Sequence, residues 1–192
     1  MNLAKTAAAA TLALLAACGA PSGVMVSPNA RPVGGNLYIE TSLQGRQFLV
    51  LDGEITPETS YTFQALVEQA EQAAGLVITQ SPGGNLFASH QIGDTIAAHH
   101  MNTAVIGECI SACVHLFIAG NERDMTPDAV LGLHPSSGGA YTLAIDERYW
   151  GRFGLADVIR AAYKVPKGKV WYIGAERAKA LKLATQVLEP PR

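Results

Sequence analysis

The sequence predicts an α/β domain, and three observations carry that expectation. Short apolar runs at residues 36–40, 46–51, 76–79, 103–106 and 129–133 alternate with segments of helical periodicity. The connections between them are short and several are rich in glycine, as in strand–helix units packed around one sheet. No internal repeat and no second linker follows residue 36, so a single domain accounts for most of the 192 residues.

The first element is a leader. Residues 1–17 combine a short start carrying Lys5 with an unbroken run of Ala, Thr and Leu over 6–15. That run is too short to span a bilayer and suits a secretory signal. It ends in Leu15-Ala16-Ala17-Cys18, which looks like a bacterial lipobox. That resemblance implies cleavage before Cys18 and lipidation of its thiol; the alternative is an ordinary signal peptide with Cys18 incidental. Residues 19–35 hold three prolines, four glycines, two serines and an asparagine without periodicity. The division is therefore leader 1–17, lipidated cysteine and flexible tether 18–36, and folded domain 37–192. Location in the cell envelope follows, on the periplasmic side and anchored by lipid, with the outer membrane favoured.

Composition sets outer limits. An apolar fraction of 48% excludes a disordered chain, and a formal charge of −2 with a pI near 6.2 argues against nucleic acid as a partner. Loss of the leader removes Lys5 and no acid, leaving −3. Three cysteines cannot build a disulfide scaffold, and no CxxC pair marks a zinc site. With Cys18 assigned to lipid, Cys109 and Cys113 remain as a pair, either bridged or as two buried thiols.

Within the domain, Thr56-Pro57-Glu58 opens a helix by capping, first-turn proline and favourable charge, and Phe63, Leu66, Val67 and Ala70 form its apolar face. Gly75 stops it. A helix follows at 87–99, a buried helix at 111–119, and mainly helical stretches at 142–163 and 175–183.

Two turns concentrate the chemistry: Ser81-Pro82-Gly83-Gly84-Asn85 and Gly107-Glu108-Cys109-Ile110-Ser111-Ala112-Cys113. Each follows an apolar strand and precedes a helix, where backbone N–H groups lack intrahelical partners. Gly83 and Gly84 allow an oxygen to approach the backbone closely, and two such N–H groups aimed at one point make an oxyanion hole. Taken singly, Ser81–Gly84 reads as a common β-turn and Ser111 as a helix N-cap.

The order strand, SPGG, helix, strand, serine turn, buried helix, strand, Leu133-His134-Pro135 resembles the proteolytic subunit of Clp protease. The resemblance extends upstream through Phe48-Leu49-Val50-Leu51-Asp52-Gly53-Glu54-Ile55 and downstream through Gly174-Ala175-Glu176-Arg177-Ala178, covering about residues 45–189. It implies a ClpP/crotonase-like fold of repeated ββα units with a twisted, mostly parallel sheet. It implies Ser111 as nucleophile, His134 as base, and N–H groups of Gly83 or Gly84 and of Ala112 as the oxyanion hole. A peptide or protein substrate and homo-oligomeric assembly are implied too. No cofactor is expected, and no carboxylate or thiol set that would complete a histidine-rich metal site can be assembled from the spacings. The chemistry is consistent, because a serine hydroxyl needs a base within hydrogen-bond reach and imidazole is the natural base at neutral pH.

The pattern departs where the family carries the aspartate that orients the histidine. Residues 164–170 contain Pro166 and no acid, leaving Asp146 and Asp157 as candidate third members. Loss of such a carboxylate costs about 10⁴ in turnover in a well-studied triad; a backbone carbonyl or water is the substitute. An envelope protein would also not meet a cytoplasmic ATPase, so ATP-dependent proteolysis is not expected. Related peptidases use a Ser–Lys pair, but Lys164, Lys167 and Lys169 read as a solvated basic loop. His90, His99 and His100 read as surface residues and His115 as a core histidine. Tyr149, Trp150, Phe153 and Leu155 read as core or subunit packing. The expectation is an envelope serine hydrolase, a peptidase by resemblance. The alternative is a weak or inactive crotonase-fold module that binds peptides or scaffolds an envelope complex; acyl-CoA chemistry ranks last.

Overall fold

A computed structural model describes residues 26–42, 44–69 and 75–189. The leader and Cys18 lie outside the described residues. In chain order the elements are β1 (Arg31–Gly34), β2 (Leu37–Thr41), β3 (Gln47–Asp52), α1 (Pro57–Gln69), β4 (Gly75–Ser81) and α2 (Leu86–Ala98). Then come β5 (Asn102–Ile110), α3 (Cys113–Ile118), β6 (Arg123–Met125), β7 (Val130–Leu133) and α4 (Ala140–Gly151). The chain closes through α5 (Ala156–Ala162), β8 (Trp171–Gly174), α6 (Ala175–Ala180) and β9 (Gln186–Val187).

All nine strands join one sheet in the order β1-β2-β3-β4-β5-β6-β9, with β7 on β5 and β8 on β7. Five of the eight pairings are parallel; β1–β2, β2–β3 and β7–β8 are antiparallel. The mostly parallel α/β architecture expected from the sequence is the one observed.

Local chemistry explains the starts of the helices. Thr56 and Thr59 cap α1 reciprocally: the Thr59 N–H donates to the Thr56 hydroxyl at 3.2 Å, and the Thr56 N–H to the Thr59 hydroxyl at 3.0 Å. Asn85 caps α2 by accepting from the Ala88 N–H at 2.9 Å. Phe63, Ile92, Phe117 and Trp150 are completely buried, so α1, α2, α3 and α4 all contribute to the core. Each such side chain contributes about 1.5–3 kcal/mol by leaving water.

Two differences from the sequence reading matter for function. Arg31–Gly34, inside the expected tether, is an edge strand paired antiparallel with β2; proline is tolerated there because an edge strand leaves N–H positions unpaired. Second, β5 does not end near residue 106. Its first half pairs with β6 through 103–105, and its second half pairs with β7 through 108–110. Glu108, Cys109 and Ile110 are strand rather than turn because β7 pairs with them on one side and β4 with Glu108 and Cys109 on the other, a contribution from outside the local sequence.

Candidate active site

The second half of β5 delivers Ser111 to the carboxyl end of the sheet, and Ser111 breaks the strand abruptly. Its φ is +57°, in the left-handed region that non-glycine residues rarely occupy. The Ser111 N–H donates to the Gly132 carbonyl at 2.7 Å, and its carbonyl accepts from the Val114 N–H at 3.0 Å. The turn is thus tied at one end to β7 and at the other to α3. Ser111 does not cap that helix: Ala112 takes the N-cap position, without a side-chain bond.

Cys109 and Cys113 are joined by a disulfide, with Cα atoms 5.3 Å apart and both side chains fully buried. The bridge closes a five-residue ring around Ser111 and fixes the exit from β5 relative to the entry to α3.

Gly83 lies against this turn. It has φ = +93°, and a Cβ there would meet the Ile110 carbonyl at 2.6 Å, the Ser111 Cβ at 2.8 Å and the Ala112 nitrogen at 2.9 Å. Only glycine allows the two turns to approach this closely. Gly84, at φ = +140°, is exposed and bridges to Ile55 instead. Gly83 is therefore the glycine adjacent to Ser111. Its N–H lies 3.3 Å from the Ser81 hydroxyl, and the Ala112 N–H makes no hydrogen bond among the described residues.

His134 follows β7, two residues after the Gly132 that anchors Ser111. Ile110 and Gly132 are in register in the parallel pair, so Ser111 and His134 leave the same sheet edge on adjacent strands. The half-buried imidazole places Nδ1 3.0 Å from the Pro135 carbonyl. A proton on Nδ1 is donated there, leaving Nε2 with its lone pair. The same ring borders a cavity of about 550 Å³ whose other walls include Ser136, Ser137, Lys167 and Lys169.

Neither candidate acid makes a hydrogen bond or ion pair with His134. Asp157 is exposed and pairs with Arg160. Asp146 is buried on the inner face of α4, where one oxygen lies 3.2 Å from His115 Nε2 and 3.4 Å from His90 Nε2. Its other oxygen accepts from the Tyr163 hydroxyl at 2.5 Å and the Ser136 hydroxyl at 3.4 Å. Burial pushes the Asp146 carboxyl up, but contacts with the two rings and Tyr163 outweigh it and hold the group well below the usual carboxylate range.

His90 corrects the sequence reading. Rather than lying on the surface, it turns inward and stacks on Tyr149 with ring centroids 4.0 Å apart and planes 2° from parallel. Burial lowers its pKa below the ordinary histidine value. His115 is a buried core histidine, while His99 and His100 are exposed. A carboxylate with two imidazoles is thus assembled, although none was expected from the spacings. Residues 90, 115 and 146 lie on three separate helices, α2, α3 and α4, at separations far beyond any local spacing, so no motif announces them. Ser89 Oγ also lies 3.4 Å from His115 Nδ1, but Ser89 is fully buried and donates to the Leu86 carbonyl at 2.6 Å. It is closed to substrate. Tyr149, Trp150 and Leu155 are core, and Lys164, Lys167 and Lys169 are exposed.

The Clp protease family model matches residues 37–148, more than half of the chain. Among solved structures, the chain is similar to the ClpP protease catalytic domain from Plasmodium falciparum, with 19% identity, 74% of this chain and 85% of that chain covered, and a TM-score of 0.60. It is similar to ClpP1 from Listeria monocytogenes at 19% identity, 74% and 91% coverage and a TM-score of 0.58. A mutant of 1510-N, a membrane-bound stomatin-specific protease, matches at 17% identity, 73% and 78% coverage and a TM-score of 0.58. At these identities the structural likenesses carry the fold. No curated protein matches the sequence.

Proposed function

Because the chain belongs to the Clp protease family, we propose that it is a serine hydrolase acting on peptide bonds, with Ser111 as nucleophile and His134 as base. The observation that supports this most directly is the Ser111 backbone at φ = +57°, held in that conformation by the bond to Gly132, the disulfide and Gly83. Strain of this kind persists only where the surroundings over-determine it, and it is characteristic of turns that present a nucleophile at the top of a sheet.

The chemistry runs as acyl transfer. His134 Nε2 removes the Ser111 proton as Oγ attacks the scissile carbonyl. The developing oxyanion is received by the backbone N–H groups of Ala112 and Gly83, the latter exchanging its 3.3 Å contact with Ser81 for the oxyanion. His134 then returns the proton to the leaving amine and activates water against the acyl-enzyme. The Pro135 carbonyl, 3.0 Å from Nδ1, orients the ring in place of the absent aspartate. A neutral carbonyl stabilises the imidazolium less than a carboxylate does, so a slow enzyme is expected.

A fluorophosphonate probe tests this directly. Wild type should be labelled stoichiometrically, and Ser111→Ala should not be. A folded wild type that resists labelling would select the second reading, a peptide-binding module without turnover, whose motivation is that Asp146 and Asp157 are both engaged away from His134.

Envelope location, lipid attachment at Cys18 and self-association complete the proposal. Support for the anchor comes from the Leu15–Cys18 pattern; among the described residues no helix is long and apolar enough to cross a membrane. Fatty-acid labelling that is lost in Cys18→Ser checks the anchor, and sedimentation of the soluble domain checks assembly.

A further inference from the structure

We propose that His90, His115 and Asp146 form a mononuclear site for a divalent first-row metal, with zinc the best fit, that staples α2, α3 and α4 together behind the serine turn. One ligand atom from each of the three residues lies within 4.8 Å of the others, and His115 Nε2, His90 Nε2 and Asp146 Oδ1 are the atoms that converge. All three are buried, and none of them makes a hydrogen bond. Buried polar atoms without partners are costly, and three converging on one point need a common one.

The surrounding hydrogen bonds show what that partner is. His115 Nδ1 lies 3.1 Å from the Ala112 carbonyl and 3.4 Å from Ser89 Oγ. Because Ser89 gives its own proton to the Leu86 carbonyl, both neighbours of Nδ1 can only accept, and Nδ1 must carry the ring proton. In the neutral ring Nε2 therefore presents a lone pair to the Asp146 carboxylate 3.2 Å away. A cation placed between them satisfies both atoms.

The two imidazole–carboxylate spacings suit zinc. Tetrahedral ligands at about 2.0–2.1 Å from Zn²⁺ stand about 3.3 Å apart; the two ring nitrogens stand 3.4 and 3.2 Å from the carboxylate oxygen. The outer contacts also match those of metal ligands. The Ala112 carbonyl fixes the tautomer of His115, Tyr163 and Ser136 hold the second Asp146 oxygen, and Tyr149 stacks on His90. Two neutral imidazoles and one carboxylate leave a net positive centre with a fourth position for water. His90, with 12% of its side chain exposed, marks the entry path.

Tag-free protein, stripped with a chelator and dialysed, should be titrated with Co²⁺ and then Zn²⁺. The expected result is saturation at one equivalent, visible absorption of four-coordinate Co²⁺ that Zn²⁺ abolishes, and a higher melting temperature with Zn²⁺. His90→Gln, which keeps a polar side chain of similar size at the site's edge, should lose the absorption while retaining the far-UV spectrum of the fold. Tyr163→Phe should weaken affinity about tenfold, whereas His99→Ala combined with His100→Ala should change nothing. A folded wild type that shows no saturable Co²⁺ absorption would overturn the proposal and leave a buried ion pair at Asp146. Absorption that survives His90→Gln would overturn it equally. Both readouts are independent of Ser111 labelling.

Discussion

The Ser111 N–H donates to the Gly132 carbonyl at 2.7 Å, which locks the serine turn to the strand that leads into His134. Ser111 and His134, the proposed nucleophile and base, are therefore coupled through backbone, and substitution of either side chain should leave this anchor standing. His134→Ala is expected to slow fluorophosphonate labelling about 10²–10⁴-fold with little change in melting temperature. Lys167→Gln and Lys169→Gln, across the same cavity, should label at the wild-type rate. A collapse of labelling in either lysine variant would transfer the base role away from His134.

Ser111→Gly separates stability from function. A left-handed non-glycine residue costs about 1–2 kcal/mol, and glycine relieves that cost at φ = +57°. The variant should melt higher than wild type and fail to label. Equal or lower stability would mean that the turn is not strained.

Gly83→Ala should do the opposite to stability. Its methyl group would fall 2.6 Å from the Ile110 carbonyl and 2.8 Å from the Ser111 Cβ at φ = +93°. Strain and overpacking together should cost about 3 kcal/mol, with labelling lost. Gly154→Ala, at φ = +73° after α4 with nothing within 4 Å, should cost only about 1 kcal/mol and label normally. Urea titration of the pair distinguishes steric from conformational cost.

Replacing both Cys109 and Cys113 by alanine opens the ring around Ser111. Loop-closure entropy for so short a loop is worth about 2 kcal/mol, and removal of the bridge frees the turn to leave its left-handed conformation. Labelling should slow and the urea midpoint should fall. An unchanged labelling rate would show that Gly132 and Gly83 position the serine unaided.

Asp124 supplies a pH prediction. Burial, then the neighbouring Glu122, raises its carboxyl above the ordinary value. The folded state therefore binds a proton more readily than the unfolded state between the two pKa values. Its charged form destabilises the protein above the raised pKa, and that penalty disappears as pH falls through the window. Asp124→Asn should melt higher than wild type at neutral pH, and the difference should shrink on acidification. A difference independent of pH would remove the carboxylate as its cause.

By itself the sequence determined the α/β alternation, the Thr56-Pro57-Glu58 helix start, the glycine turn that follows Ser81 and the break before α3 at Ser111. Each rests on interactions between near neighbours or on a residue type with one conformational use. Tertiary structure decided the rest. Only pairing with β7 on one side and β4 on the other turns Glu108–Ile110 from loop into strand, because their backbones supply the hydrogen bonds. Only the approach of the two turns selects Gly83 over Gly84 beside Ser111. Asp146 could be named from the sequence as an acid near the base, but folding places it among His90, His115 and Tyr163. Those partners come from separate helices, and which buried groups face one another depends on how the helices pack against the sheet, which no local spacing encodes.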